Sequence, residues 1–209
     1  MENIALDRIP HKKIREFIQA QIDNNVTSVQ DLKPSYQYGE FLGDLNRHEE
    51  SFEAGFNINQ VWEFYSRTGP NTVFRNKLVS FSLMLSKQNE KEILYKEEPF
   101  LSTQVGQVYF MNLNVFKGLI QLAVSYEIME INNEERFFEF SYIKGGKSIG
   151  MQRIELHSLG NNRTQIKHIT HYKSDSKLRD KYIYPYFHSM VLQEYHQNLI
   201  EYMSRKLAH

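Results

Sequence analysis

The amino-acid sequence predicts an α+β protein: a curved antiparallel sheet of about six to seven strands wrapped around one long C-terminal helix, with an N-terminal helical appendage. Three observations lead there. Apolar and polar residues alternate over most of residues 48–172, and Gly- and Asn-containing breaks cut that stretch into hairpin-sized pieces. Helical periodicity then returns after residue 176 and persists almost to the end.

The first 47 residues read as the appendage, packed on a main domain of residues 48–209. Pro10 suits a first helical turn, and Ile14, Phe17, Ile18 and Ile22 follow at helical spacing until Asn24-Asn25. Ser28 and Asp31 form a capping-box pattern for a short turn that Pro34 terminates. Residues 34–47, with two glycines and Tyr36, Tyr38 and Phe41, read as an irregular strap. The apolar stripe of this region is too small to make a core alone.

From residue 48 the period is two. Phe52, Ala54 and Phe56 mark a half-buried strand; Asn59 can cap a short helix carrying Val61, Trp62, Phe64 and Tyr65, which Gly69-Pro70 stops. A second short helix is expected before Lys77, followed by a strand with Val79, Phe81, Leu83 and Leu85 on one face. Ile93–Tyr95 is a brief strand, and 106–115 is a longer one turned by Lys117-Gly118. Ile120, Leu122, Val124, Tyr126 and Ile128 share a face of the next strand, as Phe138, Phe140 and Tyr142 do of the one after Asn132-Asn133. Gly145-Gly146 turns the chain into strands 149–156 and 164–172. In the final helix Pro185 either kinks the rod or marks its true start. Tyr184, Phe187, His188, Val191, Tyr195, Asn198, Leu199 and Tyr202 lie on its broad face.

Composition narrows the function classes. The 209 residues carry 25 basic and 25 acidic side chains, so no global field recruits polyanions, and no basic cluster flanks the strand aromatics; nucleic acid is not an expected partner. Residues 144–209 hold 11 basic and 5 acidic side chains, but these are interspersed and read as a solvated face. Cysteine is absent, which removes disulfides, thiolate metal sites and a cysteine nucleophile. The longest apolar run is four residues, and charges fill the first fifteen positions, so the expectation is a soluble cytoplasmic protein without integral membrane association. With 14 Phe and 13 Tyr, the chain has unusual aromatic bulk for lining or filling an interior.

Two segments carry a resemblance to a known family. Phe56-Asn57-Ile58-Asn59-Gln60-Val61-Trp62-Glu63-Phe64 is similar to the strand-to-helix entry of the START/Bet v 1-like helix-grip superfamily, which includes polyketide cyclases and small lipid carriers. The late strand Thr164-Gln165-Ile166-Lys167-His168-Ile169-Thr170-His171-Tyr172, followed directly by the long helix, resembles that superfamily's ending. The Gly-rich turn of its plant members is not visible, so their ligands do not carry over. The resemblance implies a protein enclosing an apolar or amphipathic small molecule between sheet and helix; the superfamily holds passive binders and enzymes alike.

The expected cavity residues follow from faces. Ile166, His168, Thr170 and Tyr172 share one side of their strand, so His168 and Thr170 face the helix. Tyr126, Tyr142, Tyr184 and Tyr195 are candidate cavity tyrosines, each able to offer a ligand oxygen a hydrogen bond, and His188 lies on the buried side of the helix. His168, His188 and Tyr142 are the candidate acid/base groups. No metal or other cofactor is implied: His168 and His171 point to opposite faces, and His188 and His196 stand two turns apart. Gly145-Gly146-Lys147-Ser148 lacks the following helix of a phosphate loop and reads as a hairpin turn. Non-catalytic binding or carriage of an apolar small molecule is the favoured function. The alternatives are a small cyclase- or hydratase-type enzyme using a cavity His and Tyr, and a homodimeric interaction module.

Overall fold

The computed structural model describes residues 1, 3–37, 39–75 and 78–208. Tyr38 of the strap, and Lys77 after the second short helix, lie outside the described residues. Eight strands form one antiparallel sheet: β1 (Asn46–Ala54), β2 (Val79–Ser86), β3 (Ile93–Tyr95), β4 (Gln107–Val115), β5 (Ile120–Asn132), β6 (Phe137–Tyr142), β7 (Ile149–Gly160) and β8 (Arg163–Lys173). Their order across the sheet is β1-β8-β7-β6-β5-β4-β2-β3. All eight segments read as strands from the sequence are present, and the sheet exceeds six to seven strands because the brief Ile93–Tyr95 joins it as an edge paired with β2. At the other edge β1 pairs with the last strand, setting His48 opposite Thr170 and Glu50 opposite His168. Register shifts at Phe81/Leu83 in β2 and at Ile128/Glu130 in β5 bend those strands and deepen the curvature.

Alternation decides the two faces. Along β8, Thr164, Ile166, His168, Thr170 and Tyr172 are all buried while the residues between them are partly exposed. The concave face meets α2 (Ile58–Arg67), α3 (Pro70–Val73) and α4 (Tyr184–Leu207). There Val61, Trp62 and Tyr65 of α2 and Leu199 and Met203 of α4 pack on Phe138, Ile154 and Ile166. The cap of α2 is Asn57, not Asn59: its side-chain oxygen accepts from the Asn59 and Gln60 amides, while Gln60 reaches back to the Asn57 amide.

α4 is 24 residues, about 36 Å at the helical rise. Pro185 is its second residue, so Pro185 marks the start and does not kink the rod. A wider π turn, Arg179–Ile183, precedes it; a proline has no N–H to continue a tighter ladder.

The convex face is covered by the N-terminal segment. α1 (Lys12–Asp23) begins two residues after Pro10 and lays Ile14 and Ile18 on Leu83, Leu85, Val108 and Phe110, with Ile9, Val29 and Leu32 completing a second apolar cluster. The chain is then clasped to the sheet. Pro34 bridges Ile143, the Ser35 amide donates to the Tyr142 carbonyl at 2.6 Å, and the Lys144 amide to Lys33 at 2.9 Å. Gly150, facing that clasp, has φ +124°, and a Cβ there would collide with the His171 carbonyl oxygen.

Candidate functional site

Between α4 and strands β4 to β6 the two layers leave a cavity of about 220 Å³. Its size follows from the sheet's bend: bulky side chains line the trough, and the straight helix cannot follow its floor. Leu113, Leu122, Val124 and Phe140 form the sheet-side apolar wall, and Val191 the helix side. One end lies at the β6–β7 turn, where Gly146, Lys147 and Ser148 stand near Arg179 and Ile183; the glycine-lysine-serine segment is thus a hairpin turn at the rim.

Tyr126 and Tyr195 face this space. Both stand inside the molecule yet keep accessible surface, because their open side is cavity wall. Tyr126 is fixed between Tyr109, stacked at 5.2 Å, and Phe140 at 4.8 Å. Tyr195 stacks on Phe74 at 5.1 Å. Neither hydroxyl has a hydrogen-bond partner among the described residues. Burial pushes both phenols up from their ordinary range, so each is a neutral donor at physiological pH.

A hydrogen-bonded chain runs beside the cavity. The Tyr65 hydroxyl bonds His196 Nδ1 at 2.5 Å, His196 Nε2 bonds His168 Nδ1 at 2.9 Å, and His168 Nε2 donates to Gln152 Oε1 at 2.8 Å. The Gln152 amide then donates to the Tyr142 hydroxyl at 2.6 Å, which meets the Tyr184 hydroxyl at 2.6 Å. Each link needs neutral imidazoles. Burial supplies them, lowering His168 well below its ordinary value and His196 to about 3, with the neighbouring histidines adding to the effect.

His188 stands apart from that chain. Its Nδ1 lies 3.1 Å from His48 Nδ1; His48 Nε2 lies 3.1 Å from Ser189 Oγ, and the Ser189 hydroxyl donates to Glu50 at 2.6 Å. The ring stacks on Tyr184 at 4.9 Å and lines the cavity. Burial lowers its pKa well below the usual histidine value, helped by His168 and His48. Among the described residues no three His, Asp or Glu side chains converge to hold a metal ion.

Of the residues expected at the cavity, Tyr126, Tyr142, His168, Tyr184, His188 and Tyr195 line it. Thr170 does not. Its hydroxyl sits behind, 3.5 Å from Gln152 Oε1. His168 lines the cavity with both ring nitrogens already bonded, whereas His188 Nε2 has no hydrogen-bond partner among the described residues. Sequence reasoning missed Tyr65, Gln152 and His196 of the chain, and His48, Ser189 and Glu50 behind His188. The available signal was alternation in β1, which puts His48 and Glu50 on the side of Phe52 and Ala54.

Comparison with known proteins separates fold from family. No protein-family model and no curated protein matches the chain. Solved structures do match it. The Zhui aromatase/cyclase from a Streptomyces species superposes with a TM-score of 0.58 at 12% identity, covering 78% of this chain and 96% of that one. Ginseng major latex-like protein 151 from Panax ginseng gives 0.55 at 12% identity, over 77% and 99%. Norcoclaurine synthase from Thalictrum flavum, in complex with dopamine and hydroxybenzaldehyde, gives 0.53 at 14% identity, over 81% and 95%. The fold is the Bet v 1-like helix grip. In this helix grip the gripped rod is α4, the grip is the concave face of β1–β8, and the space between them is the cavity described above. The matches have aromatase/cyclase, synthase and latex-like protein names, so the scaffold by itself sets no single activity. No helix among the described residues is long and apolar enough to cross a membrane.

Proposed function

We propose that the protein binds a compact, mainly apolar small molecule bearing one or two oxygens in the cavity between sheet and α4. The observation that carries this reading is the pair of phenols, Tyr126 and Tyr195, that line the cavity and have no hydrogen-bond partner among the described residues. Each hydroxyl opens on a mainly apolar space, and a ligand oxygen there supplies the acceptor that the cavity wall does not, a hydrogen bond of about 0.5–1.5 kcal/mol net. Size selects the ligand class. The volume is about 220 Å³, whereas a dry cavity of roughly 150 Å³ already takes benzene. One or two fused rings match it better than a long acyl chain. The dopamine and hydroxybenzaldehyde held by the norcoclaurine synthase of the same fold are ligands of that scale.

Isothermal calorimetry with 1-naphthol tests this. Saturable one-site binding is expected, weakened about five- to tenfold by Tyr126→Phe and again by Tyr195→Phe, each removing one hydrogen bond and no bulk. Tyr186→Phe, at an exposed position, leaves affinity unchanged. Absence of binding at millimolar 1-naphthol, or equal affinity in all four proteins, contradicts the reading.

A further inference from the structure

His48, His168, His188 and His196 form one cluster under α4, and among the described residues hydrogen bonds occupy every ring nitrogen in it except His188 Nε2. The far end of the His188 branch sets the direction of proton sharing. A carboxylate only accepts, so the single proton of the Ser189 hydroxyl points to Glu50 at 2.6 Å. Ser189 Oγ therefore accepts from His48 Nε2–H, which leaves His48 Nδ1 bare. The facing nitrogen, His188 Nδ1, must carry the hydrogen that bridges the 3.1 Å between them. His188 Nε2 is then an unshared lone pair on a side chain that lines the cavity, with its tautomer held from behind by three residues. A neutral ligand-binding pocket has no need of an imidazole held in one tautomer. A base does.

We propose that His188 Nε2 removes a proton from a carbon adjacent to a carbonyl group in the bound molecule, with His48, Ser189 and Glu50 as positioning residues that hold the tautomer and lead the proton outward. The inference rests on the reading of the cavity as a ligand site. In the step, the C–H bond breaks, an N–H bond forms at His188 Nε2, and the electron pair passes to the carbonyl oxygen as an enolate. The Tyr126 and Tyr195 hydroxyls are the donors available to that oxygen. The Nδ1 proton of the resulting imidazolium passes to His48 Nδ1, the His48 Nε2 proton to Ser189, and the Ser189 proton to Glu50. The Glu50 side chain is 35% exposed and opens the route to solvent. No oxidant, reductant or metal enters the balance. Reversal along the same route hands the carbon its own proton back; deuterium enters when the proton held on His188 Nε2 trades with solvent before the ketone re-forms, so the simplest observable is exchange.

The probe is 2-tetralone, a two-ring ketone, followed by proton NMR in heavy water, with its affinity measured separately by calorimetry. The full-length wild-type protein is expected to accelerate α-hydrogen exchange. His188→Gln is expected to lose about 100-fold or more of that acceleration with affinity within threefold, the scale of a missing general base. Histidine ¹⁵N shifts of the ligand-free protein supply an independent readout: His188 is expected as the Nδ1–H tautomer. Ser189→Ala, a small change at a partly exposed position, is expected to release that tautomer preference and slow exchange about tenfold. Bound 2-tetralone exchanging equally fast with wild type and His188→Gln overturns the base while leaving the binding reading intact, as does an Nε2–H tautomer at His188. If 2-tetralone does not bind at all, the cavity reading fails, and this inference with it. Should His188→Gln fail to fold, Ser189→Ala decides: unchanged exchange and an unchanged His188 tautomer overturn the proposal.

Discussion

Lowering the pH is expected to unfold this protein through its own core. His168, His188 and His196 are enclosed and held below the ordinary histidine value chiefly by burial, His196 to about 3. Once unfolded, each binds a proton near its ordinary value of about 6.5, so below that pH the unfolded chain holds more protons and stability falls as pH falls. For His196 alone, going from about pH 7.5 to about pH 5 removes about 2 kcal/mol, since each unit of separation is worth about 1.4 kcal/mol. His168 and His188 are pushed in the same direction and add to the loss. Glu139, raised by burial, works in the opposite sense, but it is one group, with Arg153 beside it opposing the shift, against three histidines. Total stabilities of single domains are about 5–15 kcal/mol, so the loss is a large share of the whole. Urea unfolding followed by far-ultraviolet circular dichroism at several pH values measures it. His196→Gln is expected to be less stable at neutral pH and to show a shallower acid slope. An unfolding free energy constant to within about 0.5 kcal/mol from pH 7.5 to pH 5 refutes the reasoning.

Two further changes test the packing that shapes the site. Val191→Trp places an indole where α4 borders the free volume, so 1-naphthol affinity is expected to fall more than tenfold while thermal unfolding stays within a few degrees of wild type. Gly150→Ala forces a side chain into left-handed backbone against the His171 carbonyl; a loss of more than about 2 kcal/mol is expected in urea unfolding.

Local periodicity made much of this architecture legible. Strict alternation in β8 and in β5 named the faces correctly, whereas Pro185 left a kink and a start equally open, and the structure shows the start, because a proline can open a helix but not continue one. Tyr126, Tyr142, Tyr184, His188 and Tyr195 could be placed at the cavity from faces alone, since side-chain direction is a local property. Partnership is not local. His48 lies 140 residues from His188, and meets it only because β1 crosses to pair with the last strand. His196 looked like one more helix residue until Tyr65 of α2 and His168 of β8 bracketed it. Thr170 shows the complementary error: it has the right face but the wrong depth, because Gln152 from the neighbouring strand stands beside it. The Asn57 cap was missed by two positions, since both asparagines are competent caps and only the backbone direction at the end of β1 selects between them.

The proposed occupant of the space between α4 and the β4–β6 wall is a compact ring system. Intermolecular nuclear Overhauser effects between bound 1-naphthol and assigned methyl groups measure this directly. Cross-peaks are expected to Leu113, Val124 and Val191, three residues from three different elements that all line the cavity. Saturable binding with cross-peaks confined to the outer cluster around Ile14, Ile18 and Leu85 would contradict it.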